Sequence, residues 1–550
     1  MKRTRILLCG LIIIVFAFIS ATAAAQLNIA LANDDGYDQP GIQILRNAPG
    51  VSARSQSVMP ENKVPRRVES KAVQLMHELE KQGFEVSRGY FKLWTIEDCE
   101  YTYDKMKLCY GNNPASPYVI TTLPPWPHEF VDPIYSNLFG PSQEGYQDIY
   151  RFDPREAIVI LGLLPPPGAY FSEQTWLFSR KGVPDTTSQT YQDIKDDPVL
   201  NPFLPILFRT MPNDTDRTQV FSSLSNIVNN VVIKRQSGAA FNQVRYFILT
   251  PDQFMDKAVR KAFASISVKD KDVFTERIPS DMNVGLGQSS DDFTTWFRYA
   301  HPRDGGGPGT PSDNWRKELP MVVLRVRDTR SNRQPKKYPP VVLEKRFAVD
   351  EGSLKPDLES LLFEVSRRWG QPCASTNCSD RAGTFKDLQT FPTFMVGPRC
   401  LPIMENCLGD TQDTSYGLYG TMFLDHGEVY AVAGPLGTET GNATYVAVGI
   451  NEVPKLKGVA DMSEDDLRGT AKAYVRKVNH THKFYLYYFT RDCSGLEDLT
   501  DGNCLPIQED LIPQGGQFAI TIRDYIKPGT QRGPDSSKVL PSMIIQLQRP

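Results

Sequence analysis

The sequence predicts an α+β protein, and three observations support this fold class. Apolar residues recur at helical spacing from Val68 to Gln82 and again from Leu354 to Trp369. A strand from Gln243 to Thr250 runs directly into a helical stretch from Asp252 to Ala264, which predicts a β-then-α unit. After residue 370, short apolar runs separated by glycine replace the helical pattern, as is typical of a β-rich domain.

Further strands are predicted where β-branched and aromatic residues cluster between turn-forming residues. They fall at residues 27–32, 84–95, 117–123, 155–164, 169–179 and 321–327. A chain of 550 residues exceeds what a single hydrophobic core usually serves. We therefore predict a signal peptide at 1–25, a short α/β stub and linker at 26–65, a mixed α/β domain at 66–345, and a β-rich domain at 346–550.

The N-terminus has the three-part layout of a secretory signal. Lys2, Arg3 and Arg5 are basic, residues 6–19 form an apolar run, and residues 21–25 are small, which predicts cleavage near Ala25. A lipoprotein signal would use Cys9, but most of the apolar run follows that cysteine. No later segment reaches the roughly 20 apolar residues that a spanning helix needs. The expected location is secreted or periplasmic, with no membrane span.

The overall charge of the chain argues against a nucleic-acid partner. Asp and Glu (64) outnumber Lys and Arg (61), and the predicted signal would remove three of the basic residues. Binding of nucleic acid requires a basic surface, so no nucleic-acid partner is expected.

Eight cysteines follow Cys9 and fall into local pairs. In an oxidising compartment this spacing predicts short-loop disulfides. A zinc site is the rival interpretation, but none of the spacings is the Cys-x2-Cys type. The alternative of Cys378 with Cys400 or Cys407 stays open, because only four residues separate it from Cys373. The predicted pairs are Cys99 with Cys109, Cys373 with Cys378, Cys400 with Cys407, and Cys493 with Cys504.

A pair of acidic residues follows the first predicted strand, in the turn Asn33-Asp34-Asp35-Gly36. A charged turn after a buried strand is where α/β sheets commonly place ligands. Two adjacent carboxylates suit Mg2+ or Mn2+, which prefer oxygen ligands, and such a metal can activate water for attack on a phosphoryl group. Asp34 and Asp35 are therefore candidate metal ligands, and the alternative is a solvated Asp-Gly turn.

Residues 27–43 resemble the opening of the SurE family of metal-dependent 5'-nucleotidases and phosphatases. In that family a first strand runs into Asn-Asp-Asp-Gly and then into a Pro-Gly-Ile helix start, which Pro40, Gly41 and Ile42 match. The family's paired aspartates hold the metal, so the resemblance implies this role for Asp34 and Asp35. It also implies a SurE-like N-terminal stub and a substrate that is a nucleoside monophosphate or another phosphomonoester.

The sequence departs from the family after this segment. Pro65 stands where the family has a serine that helps to hold the metal, and proline has no side-chain oxygen. The family's later Asn-Gly-Asn loop has only weak counterparts, at Gly111-Asn112-Asn113 and at 283–287. Two functions stay open: a SurE-like metal-dependent phosphohydrolase, or a non-catalytic exported protein whose β-rich body binds a ligand or a surface.

Other residues are weaker candidates. Asp425-His426-Gly427-Glu428 suits either a metal ligand set or a polar hairpin tip. Five aromatic residues suit either a ligand cleft or the core: Trp126, Tyr170, Trp176, Trp296 and Tyr299. Four sequons would carry sugars in a host that glycosylates: Asn213, Asn377, Asn442 and Asn479.

Overall fold

A large mixed β-sheet and a two-sheet β-sandwich form the framework of the protein. The computed structural model describes residues 62–114, 116–197, 200–224, 227–330, 333–370 and 397–550, and the backbone alone of 386–387, 389–390 and 420–421. Within these residues the fold class is α+β, as predicted. None of the helices in the described part of the chain is long and apolar enough to cross a membrane.

The large sheet has the strand order β5-β6-β4-β10-β2-β1-β11-β3-β8-β9, with β7 paired to β4. Its pairs are antiparallel except for β8 and β9, which run parallel. β1 joins the two halves of the sheet, because its first half pairs with β11 and its second half with β2. The strands are β1 Glu85–Trp94, β2 Tyr118–Thr122, β3 Glu156–Leu163, β4 Gly168–Lys181, β5 Thr210–Met211, β6 Asp214–Ser223, β7 Val228–Asn229, β8 Val244–Thr250, β9 Val273–Arg277, β10 Asp292–Pro302 and β11 Met321–Arg327.

The sandwich follows the large sheet in sequence. Its first sheet has the order β12-β21-β15-β18-β19 and its second the order β13-β14-β20-β16-β17. The core between the two sheets is built by alternate residues of the facing strands, such as Val432, Val448 and Ile520. The strands are β12 Lys386–Asp387, β13 Gln389–Thr390, β14 Thr414–Phe423, β15 Glu428–Pro435, β16 Tyr445–Val453, β17 Lys457–Ser463, β18 Phe484–Thr490, β19 Cys504–Pro506, β20 Gln517–Tyr525 and β21 Met543–Gln548.

Helices cover the outer faces of both β-systems. Arg66–Lys81 and Gln253–Ser265 pack on one face of the large sheet, and Lys355–Arg368 packs on the first sheet of the sandwich. The α-helices are Arg66–Lys81, Cys99–Met106, Gln189–Asp196, Leu204–Leu207, Asn230–Ser237, Gln253–Ser265, Pro311–Glu318, Lys355–Arg368, Gly397–Cys400, Gly437–Thr440, Glu464–Leu467 and Glu497–Thr500.

Several local predictions are confirmed. The first predicted helix is Arg66–Lys81, whose buried residues recur at intervals of three and four, and it begins directly after Pro65. The predicted β-then-α unit is β8 followed by Gln253–Ser265, and the next strand, β9, lies parallel to β8.

The segment 425–428 joins β14 to β15, which lie in different sheets, so it is not the tip of a hairpin.

Three of the predicted disulfides are present: Cys99–Cys109, Cys400–Cys407 and Cys493–Cys504. Cys373 and Cys378 lie outside the described residues, as do Asp34 and Asp35. The predicted metal site and the predicted stub therefore stay predictions, and so does the domain division.

Candidate ligand-binding site

A cleft opens where the second sheet of the sandwich packs on the large sheet. We call it the seam cleft. Its walls come from β1, β2 and β10 on one side and from β14, β16 and β20 on the other, and two loops close its ends. Its cavity volume is about 70 Å3, which is room for a few water molecules or one very small ligand and lies below the roughly 300–1,000 Å3 of pockets for drug-sized ligands.

The seam cleft exists because the outer face of the sandwich is only partly apolar. In β20, Phe518, Ile520 and Ile522 point into the sandwich core. The alternate residues Thr521, Arg523 and Tyr525 therefore point toward the large sheet and line the seam cleft. A strand with one apolar and one mixed face packs tightly on one side and leaves room on the other.

The wall on the large sheet is aromatic. The rings of Trp94, Tyr118 and Trp296 form a triangle, with centroids 5.3 to 5.5 Å apart. Phe221 packs edge-on against Trp296 at 5.0 Å and against Tyr110 at 4.9 Å. Aromatic rings held by one another lose little freedom when a ligand binds, so this wall is preformed.

Two disulfide-closed loops bound the seam cleft. Cys109 directly precedes Tyr110 and Gly111, which have φ values of 58° and 58°. Cys407 directly precedes Leu408 and Gly409, with φ values of 53° and 70°. Each of these two disulfides is thus followed by two residues in the left-handed region, the second of which is glycine.

Each loop is attached to the opposite β-system. Gly111 donates its backbone N–H to Leu456 O, which lies between β16 and β17 of the sandwich, at 2.7 Å. Gly409 donates its backbone N–H to Phe221 O in β6 of the large sheet, at 2.8 Å. A side chain at Gly409 would also collide with the ring of Phe221, with contacts of 2.9 Å to its Cβ. The two loops therefore hold the walls of the seam cleft together.

Each of the two arginines in the seam cleft is held by one of these glycines. Arg298 of β10 donates from Nη2 to Gly409 O at 2.7 Å, and Arg523 of β20 donates from Nη2 to Gly111 O at 2.7 Å. The Arg298 guanidinium also stacks on Trp176, with Cζ 4.7 Å from the ring centroid. Burial raises the pKa of Tyr525, whereas the guanidinium charges of Arg523 and Arg298 lower it, so both charges act on one hydroxyl.

A second polar cluster lies inside the large sheet. Arg325 is fully buried and pairs with Glu129 at 2.8 Å and with Glu156 at 2.6 Å. Burial raises the pKa of Glu156, and Arg325 opposes that rise. Because these charges satisfy one another and are sealed from solvent, the cluster is structural.

Two buried carboxyls also face each other across the same sheet. Burial and the nearby Glu276 raise the pKa of Glu173 well above its usual range. Acid pairs of this kind can do acid–base chemistry, but Glu173 is 0% exposed and Glu276 is 2% exposed. We assign them no reaction, because a substrate could not touch either carboxyl in this structure.

The sequence identified part of the seam cleft. Of the five aromatic residues assigned to either a cleft or the core, Trp296 lines it and Trp176 lies behind Arg298. Gly111 and Asn112, the weak counterpart of the SurE loop, also line it. Arg298 and Arg523 were not predicted as site residues, because an arginine in an alternating strand is ordinarily assigned to the solvent face.

A metal site is not apparent in the described part of the chain. Among those residues, no group of three or more His, Cys, Asp or Glu side chains is placed to hold a metal ion. The two predicted ligands are not among them.

Comparison with known proteins leaves the family open. No family model and no curated protein matches this chain. Among solved structures, the VPA0106 protein of Vibrio parahaemolyticus is similar at a TM-score of 0.34 and 10% identity, over 88% of this chain and 99% of that chain. An uncharacterized protein of Burkholderia cenocepacia is similar at a TM-score of 0.34 and 9% identity, over 92% and 93% of the two chains.

Proposed function

We propose that this protein is an exported binding protein that takes a small ligand into the seam cleft. The observation that carries the proposal is a preformed aromatic wall beside polar groups that the protein itself does not satisfy. Arg298 Nε and Arg523 Nη1 are buried and have no hydrogen-bond partner among the described residues. Buried donors without partners are costly, and a bound ligand can supply the missing acceptors.

Export is part of the proposal because of the disulfides and the predicted signal. Disulfides form and persist mainly in oxidising compartments. Two of the three described disulfides bound the seam cleft, so the proposed site depends on an oxidising environment.

The test is binding of a small neutral probe of matching size, acetamide, measured by isothermal titration calorimetry. We expect saturable binding of one probe per chain. The substitution Leu418→Trp, on the seam-cleft side of β14, should fill the site and abolish binding. Phe423→Trp is the matched control, because Phe423 lies on the same strand but is 50% exposed outside the seam cleft. Equal binding by wild type and Leu418→Trp would refute the proposal.

A second candidate function rests on the turn that contains Asp34 and Asp35. The resemblance to SurE supports a metal-dependent phosphohydrolase. Its test is release of phosphate from p-nitrophenyl phosphate with Mg2+ or Mn2+, and loss of that activity in Asp34→Asn. A protein that shows no turnover with either metal, and no rise in melting temperature with Mn2+, would contradict this candidate.

A further inference from the structure

The size of the seam cleft limits its ligand to a molecule of a few non-hydrogen atoms. Its cavity of about 70 Å3 is several times the roughly 10–15 Å3 that one water occupies on the same scale. The rings of Trp94 and Trp296 are 1% and 2% exposed, so a ligand cannot stack a ring of its own on them. The chemical class of the ligand therefore depends on the polar groups of the site.

The polar groups that line the seam cleft are mainly hydrogen-bond donors. A guanidinium carries several N–H donors, yet Arg298 makes a single side-chain hydrogen bond within the described residues, to Gly409 O. Arg523 likewise makes a single one, to Gly111 O. The hydroxyl of Tyr525, which also lines the seam cleft, makes none with a described residue. The site therefore suits a ligand that accepts hydrogen bonds.

The contacts of each guanidinium show which of its nitrogens a ligand can reach. In Arg298, Nη2 is bonded and Nε is fully buried, whereas Nη1 has no partner among the described residues and is not fully buried. In Arg523, Nη2 is bonded and Nη1 packs over Gly449, where a Cβ would lie 2.9 Å from it. Arg298 Nη1 is therefore the donor for a ligand, and Arg523 acts on the site through its charge.

The positive charge of the two arginines is not neutralised inside the seam cleft. No Asp or Glu is among the described residues that line it, and neither arginine forms an ion pair with a described carboxylate. Asp410 and Asp413 lie within electrostatic reach of Arg298, but both are 0% exposed, and burial raises the pKa of each. Buried charge without a partner is costly, so an anion in the seam cleft would be stabilised.

The two charges converge on one hydroxyl. Burial raises the pKa of Tyr525, and the guanidinium charges of Arg523 and Arg298 both oppose that rise. Tyr525 is 5% exposed and each arginine is 6% exposed, so all three groups are shielded from bulk solvent. An anion beside this hydroxyl would meet both charges where water screens them least.

We infer that the ligand of the seam cleft is a small carboxylate of about the size of acetate, held by Arg298 Nη1 and the hydroxyl of Tyr525. A carboxylate accepts several hydrogen bonds through two oxygens, and its charge supplies the counter-ion that the site lacks. This inference rests on the proposed binding function and specifies the chemical class of the ligand.

The test compares acetate with acetamide, which has the same number of non-hydrogen atoms and nearly the same shape but no charge. Isothermal titration calorimetry on the full mature chain at about pH 7 measures both, with gluconate as the background anion because it is too large for the cavity. We expect the Kd of acetate to be lower than that of acetamide by about tenfold or more. Leu418→Trp should abolish binding of both compounds.

A pair of arginine variants tests the assigned donor. In Arg298→Met the preference for acetate over acetamide should fall to about onefold, because the donor and its charge are removed. Arg303→Met is the matched control, since it removes an exposed arginine just beyond β10 and should keep the full preference.

The outcomes separate the two claims. Equal affinities of acetate and acetamide for the wild-type protein overturn the inference about charge, while the binding proposal stands. Binding of neither compound overturns the binding proposal and this inference with it. Acetate binding that survives in Leu418→Trp, or a preference that survives in Arg298→Met, also overturns the inference, because the anion then lies elsewhere. The wild-type comparison needs no variant, so it remains decisive if a substitution prevents folding.

Discussion

Removal of the disulfides one at a time separates a stabilising role from a role in the seam cleft. The changes are the paired serine substitutions of Cys99 with Cys109, Cys400 with Cys407, and Cys493 with Cys504. The loops they close have sequence separations of 10, 7 and 11 residues. The chain-entropy relation then gives a similar loss of unfolding free energy for each pair, roughly 2.5 kcal/mol. Urea unfolding followed by tryptophan fluorescence measures these losses.

Binding should distinguish the three variants where stability does not. Cys109 and Cys407 lie two residues before Gly111 and Gly409, whose carbonyls hold Arg523 and Arg298. Without the cross-links these left-handed turns can relax, and we expect probe affinity to fall on the order of tenfold, which corresponds to about 1.4 kcal/mol. The variant without Cys493–Cys504 should bind within about twofold of wild type, as judged by the same scale. Equal loss of binding in all three variants would falsify the reasoning.

Three further predictions test other parts of the structure. Arg325→Met should cost about 3–5 kcal/mol in urea unfolding, because it leaves Glu129 buried without its partner; a loss below about 1 kcal/mol would contradict this. Burial, with the charge of a nearby acid, raises the pKa of Asp524 to about 8, so its folded form holds a proton that the unfolded chain releases above about pH 4. This contribution to stability is therefore lost as pH rises from about 4 to 8, and Asp524→Asn should melt higher than wild type at pH 8 but not at pH 4. In folded protein secreted from a eukaryotic cell, glycopeptide mapping should find sugar on the exposed Asn479 and none on Asn442, because a glycan on the buried Nδ2 of Asn442 would break its hydrogen bonds and prevent native folding; natively folded protein with a glycan on Asn442 would contradict this.

The elements with strong local patterns were predictable. Arg66–Lys81 was found because its apolar residues recur at helical spacing, and β8 with the following helix was found because the period changes sharply at Pro251. The short-loop disulfides were predictable for a similar reason, since each pair is close in sequence. Local signals therefore gave the fold class and three of the cross-links.

The seam cleft could not be predicted in the same way. The alternation of β20 predicts one buried face, and the residues Thr521, Arg523 and Tyr525 would ordinarily be assigned to solvent. They face the large sheet instead, because a second β-system covers them. The partner of Arg523 is Gly111, 412 residues away, and no periodicity reports a contact of that separation.

That separation indicates when the seam cleft forms during folding. Contacts between distant residues carry the largest loop-closure entropy and form late in folding. The bond between Gly111 and Arg523 requires the large sheet, the sandwich and the turn between β16 and β17 to be in place together. A chain whose C-terminal strands have not yet folded has one wall of the seam cleft without the other. The seam cleft is therefore complete only when the large sheet and the sandwich have both formed and packed together.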